Sequence, residues 1–134
     1  MTSQFKNIVL IDDDAINNLL NRQFLSFVLP SSTINTFHDA RLVIRYLEEG
    51  KIARPDLILL DINMPEMDGW EFLFHLERIN CKADVMILSS SLHWDDMSKA
   101  QSYEQVKCYI EKPLTEDKIE KYLIQQNYEH VELD

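Results

Sequence analysis

Three short runs of this chain are apolar almost without a break: Ile8-Val9-Leu10-Ile11, Leu57-Ile58-Leu59-Leu60 and Val85-Met86-Ile87-Leu88. Runs of this length and make-up read as strands buried on both faces. Two further runs, Thr33-Ile34-Asn35-Thr36-Phe37 and Val106-Lys107-Cys108-Tyr109-Ile110, mix apolar and polar residues and read as strands that are less covered. In the last, alternation puts Val106, Cys108 and Ile110 on one side and Lys107, Tyr109 and Glu111 on the other.

Between the strands the apolar spacing becomes helical. Ile16, Leu19, Leu20, Gln23, Phe24 and Phe27 make a largely apolar stripe that ends before Pro30. Ala40, Val43, Ile44 and Leu47 share a face closed by Gly50, and Phe72, Leu73, Leu76 and Ile79 share another. The segment from Trp94 to Ser102 is weaker, with only Met97 and Ala100 in clear register, which predicts a short helix. A last helix starts at Thr115, a suitable N-cap, and runs to about Gln126 with Ile119, Tyr122 and Leu123 on its apolar face. Strands alternating with helices predict an α/β fold. Placing the mixed strands at the edges predicts a doubly wound, five-stranded parallel sheet in the order 2-1-3-4-5, flavodoxin-like, with helices on both faces.

The strand ends carry the chemistry. The first apolar run stops at Asp12-Asp13-Asp14, the second at Asp61 and the third at Ser89-Ser90-Ser91; the last strand leads into Glu111-Lys112-Pro113. In a parallel sheet these ends share one edge, where open α/β sheets bind ligands. Acidic, hydroxylic and basic groups collected there suit a divalent cation and a phosphoryl group. Taken singly, each residue has a plainer reading: Asp61 as a strand-end cap, Ser89 as a turn residue, Tyr109 as an edge aromatic and Lys112 as a solvated charge. Their order at successive strand ends is what favours a site.

The composition narrows the function. Twenty-three acidic residues against 13 basic ones give a net charge of −10, which argues against a nucleic-acid surface. A chain of 134 residues is most simply one domain. No apolar run approaches membrane-spanning length and no leader peptide is visible. Cys81 and Cys108 make no disulfide framework, so a reducing cytoplasm is the expected setting. None of His38, His75, His93 and His130 has a partner at metal-ligand spacing.

Asp12-Asp13, Asp61, Met64-Pro65, Asp68-Gly69, Ser89, Tyr109 and Lys112-Pro113, in this order and over nearly the whole chain, resemble the receiver domain of two-component response regulators. The resemblance implies a single stand-alone receiver spanning 1–134, with a core of about 5–126 and no output domain. It implies that Asp61 is the phosphoacceptor, served by a histidine kinase or phosphotransfer protein. It implies Mg²⁺ held by Asp13, Asp61 and the backbone carbonyl of Asn63, with Asp12 helping through water, while Ser89 and Lys112 reach phosphoryl oxygens. Ser89 and Tyr109 would then signal to a downstream target through the surface of helix four, strand five and helix five. Asn63 and Ser91 would flank the phosphorylation site, and Asp14 would be an N-cap or peripheral residue.

Two features depart from the family pattern. Ser89 stands where threonine is commoner, and Gln105-Val106 replaces the usual Gly-Ala, which leaves the geometry before strand five open. Other functions fit less well. A Mg²⁺-dependent aspartyl-phosphate phosphatase of the haloacid dehalogenase type carries its DxD motif after the first strand, whereas Asp61-Ile62-Asn63 follows the third. A flavodoxin-like cofactor binder needs a phosphate loop after strand one. A pseudo-receiver that only binds proteins would not need the acidic set and Lys112.

Overall fold

The computed structural model describes residues 5–90 and 93–128. Five parallel strands, β1 (Asn7–Ile11), β2 (Thr33–Phe37), β3 (Leu57–Asp61), β4 (Asp84–Ser89) and β5 (Val106–Glu111), form one sheet in the order β2-β1-β3-β4-β5. The connections are helical: α1 (Ala15–Val28), α2 (Ala40–Glu49), α3 (Gly69–Arg78) and α4 (Trp94–Gln101), with α5 (Glu116–Ile119) continuing as a π-helical turn, Glu120–Ile124. The expected fold and strand order are both found. Apart from their first residues Asn7 and Asp84, the central strands are buried, because each feeds two cores. Val9, Ile11, Ile58 and Leu60 pack with α2 and α3. Ile8, Leu10, Leu57 and Leu59 pack on the opposite face with Leu25, Ile119 and Leu123.

The helix boundaries follow local chemistry. Asp14, Asp39, Asp68 and Thr115 each accept a hydrogen bond from a backbone N–H of the first turn. Gly50 ends α2 in the left-handed region at φ 69°. Eight residues long, with only Ala100 fully buried, α4 is as slight as its weak periodicity implies.

Two expectations fail. The apolar stripe of α1 is not its buried face. Ile16 is 68% and Phe27 is 73% exposed, and Leu19 and Leu20 are exposed as well, while Asn18, Asn21 and Leu25 point into the protein. Periodicity identifies an apolar face but not the rotation at which a helix docks. Here the Asp14 cap and the contacts of Asn18 set that rotation. The second failure is at β5. Val85 pairs with Val106 but Met86 pairs with Cys108, so Lys107 is an extra residue. The irregularity reverses the facing of Val106, which packs against the same core as Tyr109, opposite Cys108 and Ile110.

Gln105, where a glycine was the family expectation, has a defined role. Its side-chain amide donates to the carbonyls of Cys81 at 2.9 Å and Ala83 at 2.6 Å. It thereby fastens the entry to β5 onto the entry to β4 without needing a positive φ.

Candidate functional site

β1 and β3 are neighbours in register, so Asp12, Asp13 and Asp61 emerge side by side at the sheet edge. One carboxylate oxygen from each lies within 4.8 Å of the others. Asp12 and Asp61 are buried and Asp13 is exposed, which leaves the cluster one open side. Lys112, directly after β5, sends its Nζ to Asp12 Oδ2 at 2.9 Å and to Asp61 Oδ2 at 3.3 Å. Three carboxylates against one ammonium leave a formal excess of negative charge where water is scarce. That donor set, all hard oxygen, fits a small divalent cation such as Mg²⁺.

The titration behaviour reflects the same crowding. Burial pushes the Asp61 carboxyl up from its ordinary range. The Asn63 N–H, donating to Asp61 Oδ1 at 2.9 Å, and the Lys112 charge oppose that rise, while Asp12 adds to it. Burial by itself would draw the Lys112 ammonium down. The hydrogen bond to Asp12 and the charges of Asp61 and Asp12 outweigh it, and the net direction is up. Lys112 therefore stays a cation, held between the two buried carboxylates.

Ser89 closes β4 and is fully buried; its carbonyl accepts from the Lys112 N–H at 2.7 Å. The Tyr109 ring is also buried, with its hydroxyl close enough to the Ser89 side chain for Ser89 to act on its titration. Burial raises the Tyr109 phenol, with Ser89 acting against the shift and Asp96 and Asp61 reinforcing it. The structure thus connects the acidic cluster to Tyr109 through β4 and places that ring in its buried position. Cys108, two strands from Asp61, is an inert packing thiol, pushed up to about 12 by burial.

The loop after Asp61 is tightly fastened. The Gly69 N–H donates to the Ile62 carbonyl at 3.1 Å, and a Cβ on Gly69 would lie 2.8 Å from the Ile62 Cα. No larger residue fits without moving the segment that carries Asp61. Trp70, the next residue, stacks on Tyr103 at 5.7 Å between ring centroids, with Lys99 Nζ 4.9 Å from the indole. The start of α3 is thereby joined to α4.

Asp12, Asp13, Asp61 and Lys112 are thus gathered as the sequence implied, with Ser89 and Tyr109 behind them. Asn63 is exposed at the rim. Asp14 is an N-cap, accepting from Ile16 at 2.9 Å and Asn17 at 3.3 Å. Ser91 lies outside the described residues. The sequence reasoning passed over Asn18, whose side chain contacts the Asp12 carbonyl. Its one signal was a spacing, Asn18, Asn21 and Leu25 on a single helical face.

A family model for the response regulator receiver domain matches residues 8–124. The chain belongs to that family. The structure of a two-component response regulator from Cytophaga hutchinsonii superposes with a TM-score of 0.77 at 32% identity, covering 95% of this chain and 96% of that one. The phosphorylated cyanobacterial phytochrome response regulator RcpA gives 0.76 at 28% identity, over 90% and 95%. The transcriptional regulatory protein DcuR of Escherichia coli K12 is 31% identical over 96% of this chain and 57% of its own length. The cyclic di-GMP phosphodiesterase response regulator RpfG of Xanthomonas campestris is 29% identical over 81% of this chain and 28% of its own. The receiver therefore spans about half or less of these two relatives. Receivers of this family are phosphorylation-dependent switches of two-component systems that bind Mg²⁺ at an acidic pocket, and this chain has an acidic cluster of Asp12, Asp13 and Asp61. Among the described residues no helix is long and apolar enough to cross a membrane.

Proposed function

We propose that Asp61 accepts a phosphoryl group from a histidine kinase or phosphotransfer protein, and that Asp13, Asp61 and the Asn63 carbonyl hold Mg²⁺ directly while Asp12 acts through water. The observation that carries this reading is the cluster of three carboxylates at the ends of β1 and β3, two of them bonded to the lysine that follows β5. Bound Mg²⁺ would neutralise the cluster, so that an anionic phosphoryl group can approach Asp61. Lys112 would transfer one of its hydrogen bonds from Asp61 to a phosphoryl oxygen, and Ser89 would donate to another.

Signal transmission follows from the Ser89–Tyr109 contact. A serine hydroxyl has one donor and two acceptor sites. Once its proton is committed to the phosphoryl group, Ser89 can only accept, and the Tyr109 hydroxyl becomes the donor. The two bonds then polarise one another, which favours the buried ring. A full swing between two states, from 1:99 to 99:1, needs about 5.5 kcal/mol of differential affinity. A few hydrogen bonds to a charged group, each about 1.5–3 kcal/mol, supply it. Beside Tyr109 lies a groove of about 230 Å³ lined by Ala100, Gln101, Val106, Lys107, Cys108 and Tyr128. It belongs to the α4–β5–α5 face, which we assign to the downstream target.

Beryllofluoride with Mg²⁺, as a phosphoryl mimic, should shift NMR signals of α4, β5 and α5 in the wild type. In Ser89→Ala the mimic should still bind, and the shifts in those elements should shrink. Equal shifts in both proteins would break the proposed link between Ser89 and Tyr109.

The donor has a surface to meet. The exposed stripe of α1 starts two residues after the Asp14 cap, at the rim of the acidic pocket. A contiguous apolar face is uncommon on a surface that meets only water. Any protein that brings a phosphohistidine to Asp61 must lie against this rim, and we assign the stripe to that donor. Leu20→Ser should slow transfer from a phosphorylated kinase by about tenfold, the loss typical of a central interface anchor, with labelling by acetyl phosphate unchanged. Parallel losses with both donors would place Leu20 in the fold rather than the interface.

A further inference from the structure

Asn18 lies on the buried side of α1, 3% exposed, where an apolar residue would ordinarily pack. Its side-chain nitrogen donates to the Asp12 carbonyl at 2.9 Å and to the Phe37 carbonyl at 3.1 Å. The Asp12 N–H donates to the same Phe37 carbonyl at 3.1 Å. Three hydrogen bonds thus tie the end of β1, the end of β2 and α1 into one unit. The Asp12 carbonyl belongs to the peptide that links Asp12 to Asp13, so Asn18 grips the plane from which both carboxylates project.

The two carboxylates depend on that plane unequally. The Asp12 side chain is also held by the Asp14 N–H and by Lys112, each at 2.9 Å. Among the described residues no hydrogen bond or ion pair holds the Asp13 carboxylate. Its aim is set by the backbone alone.

The oxygen of the Asn18 amide explains why the residue is an asparagine. Oδ1 is buried and has no hydrogen-bond partner among the described residues. Buried polar atoms are normally paired, so this side chain is kept for its nitrogen. No other uncharged side chain of this length puts two N–H donors on one atom. Leucine would match the shape without donors, and aspartate would set a carboxylate against two carbonyl oxygens.

We propose that Asn18 is a positioning residue of the cation site: its amide holds the Asp12–Asp13 peptide so that Asp13 already faces Asp61 before Mg²⁺ binds. This rests on the Mg²⁺ reading above. The test is calorimetric titration of Mg²⁺ into wild type, Asn18→Leu and Leu25→Ala. Leu25 is fully buried on the same helix, so its variant reports a general loosening of α1. Asn18→Leu should weaken Mg²⁺ binding by about tenfold, as expected for a residue that orients a ligand. Leu25→Ala, at equal or greater loss of Tm, should stay within about twofold of wild type. Should Asn18→Leu not fold, the wild type decides by NMR: the Asn18 side-chain N–H₂ signals should exchange slowly with solvent and shift on adding Mg²⁺. Wild-type binding with no difference between the two variants overturns the role of Asn18 alone, as do fast-exchanging or unresponsive Asn18 signals. No binding to the wild type overturns the Mg²⁺ reading itself and this proposal with it.

Discussion

Acetyl phosphate in the presence of Mg²⁺ should place one phosphoryl group on the wild-type chain and none on Asp61→Asn, read by intact mass. Asp61 ends a central strand, is buried against Asp12 and Lys112, and has Oδ1 occupied by the Asn63 N–H at 2.9 Å. Oδ2, bonded to Lys112, faces the cluster and is the oxygen we expect to attack. Asparagine keeps the shape and removes the nucleophile. Full labelling of Asp61→Asn would end the assignment.

The same variant carries a stability prediction whose sign follows from the Asp61 titration. Folding raises the Asp61 pKa, chiefly by burial. A carboxylate with a raised folded pKa costs stability when ionised; the cost is absent below the unfolded value of 3.8 and develops as pH rises through the folded value. Above the folded value the wild type bears all of it. In EDTA, above the folded Asp61 value, Asp61→Asn should therefore melt at a higher temperature than the wild type. The advantage should shrink as pH falls toward 3.8. A lower Tm in the variant would mean that the Lys112 pairing outweighs the burial cost.

Mg²⁺ affinity should fall at least about tenfold, or 1.4 kcal/mol, in Asp13→Asn and stay within about twofold in Asp14→Asn. The two residues are adjacent, yet the structure separates them. The Asp13 carboxylate joins the cluster. The Asp14 carboxylate is committed to the N–H groups of Ile16 and Asn17. Asparagine caps a helix as well as aspartate does, so Asp14→Asn leaves α1 intact and tests only the charge. Calorimetry measures both, and Trp70 fluorescence serves if it responds. A second reading comes from melting: free Mg²⁺ at 100 times its Kd should stabilise the wild type by about 2.7 kcal/mol, and Asp13→Asn by much less. A greater loss in Asp14→Asn would mean that the register after β1 is one residue out.

These effects share a cause, charge concentrated at strand ends, and that much was present in the linear chain. Unbroken apolar runs ending in Asp12-Asp13 and Asp61 identify central strands and the edge their carboxylates share, because a strand buried on both faces has few alternatives. Asp14, Gly50 and Thr115 announce helix ends because capping is a local matter of one side chain and the adjacent turn. What the tertiary structure alone decided lies between distant residues. Lys112 bridges to Asp12 across 100 positions and to Asp61 across 51, and no spacing rule encodes such pairings. The rotation of α1, with Asn18 inward and Leu19 and Leu20 outward, depends on carbonyls that only folding brings to the helix. The reversed facing of Val106 depends on one extra residue in a ladder with β4. A periodic pattern carries spacing along one element, whereas orientation is settled by the partners that element meets.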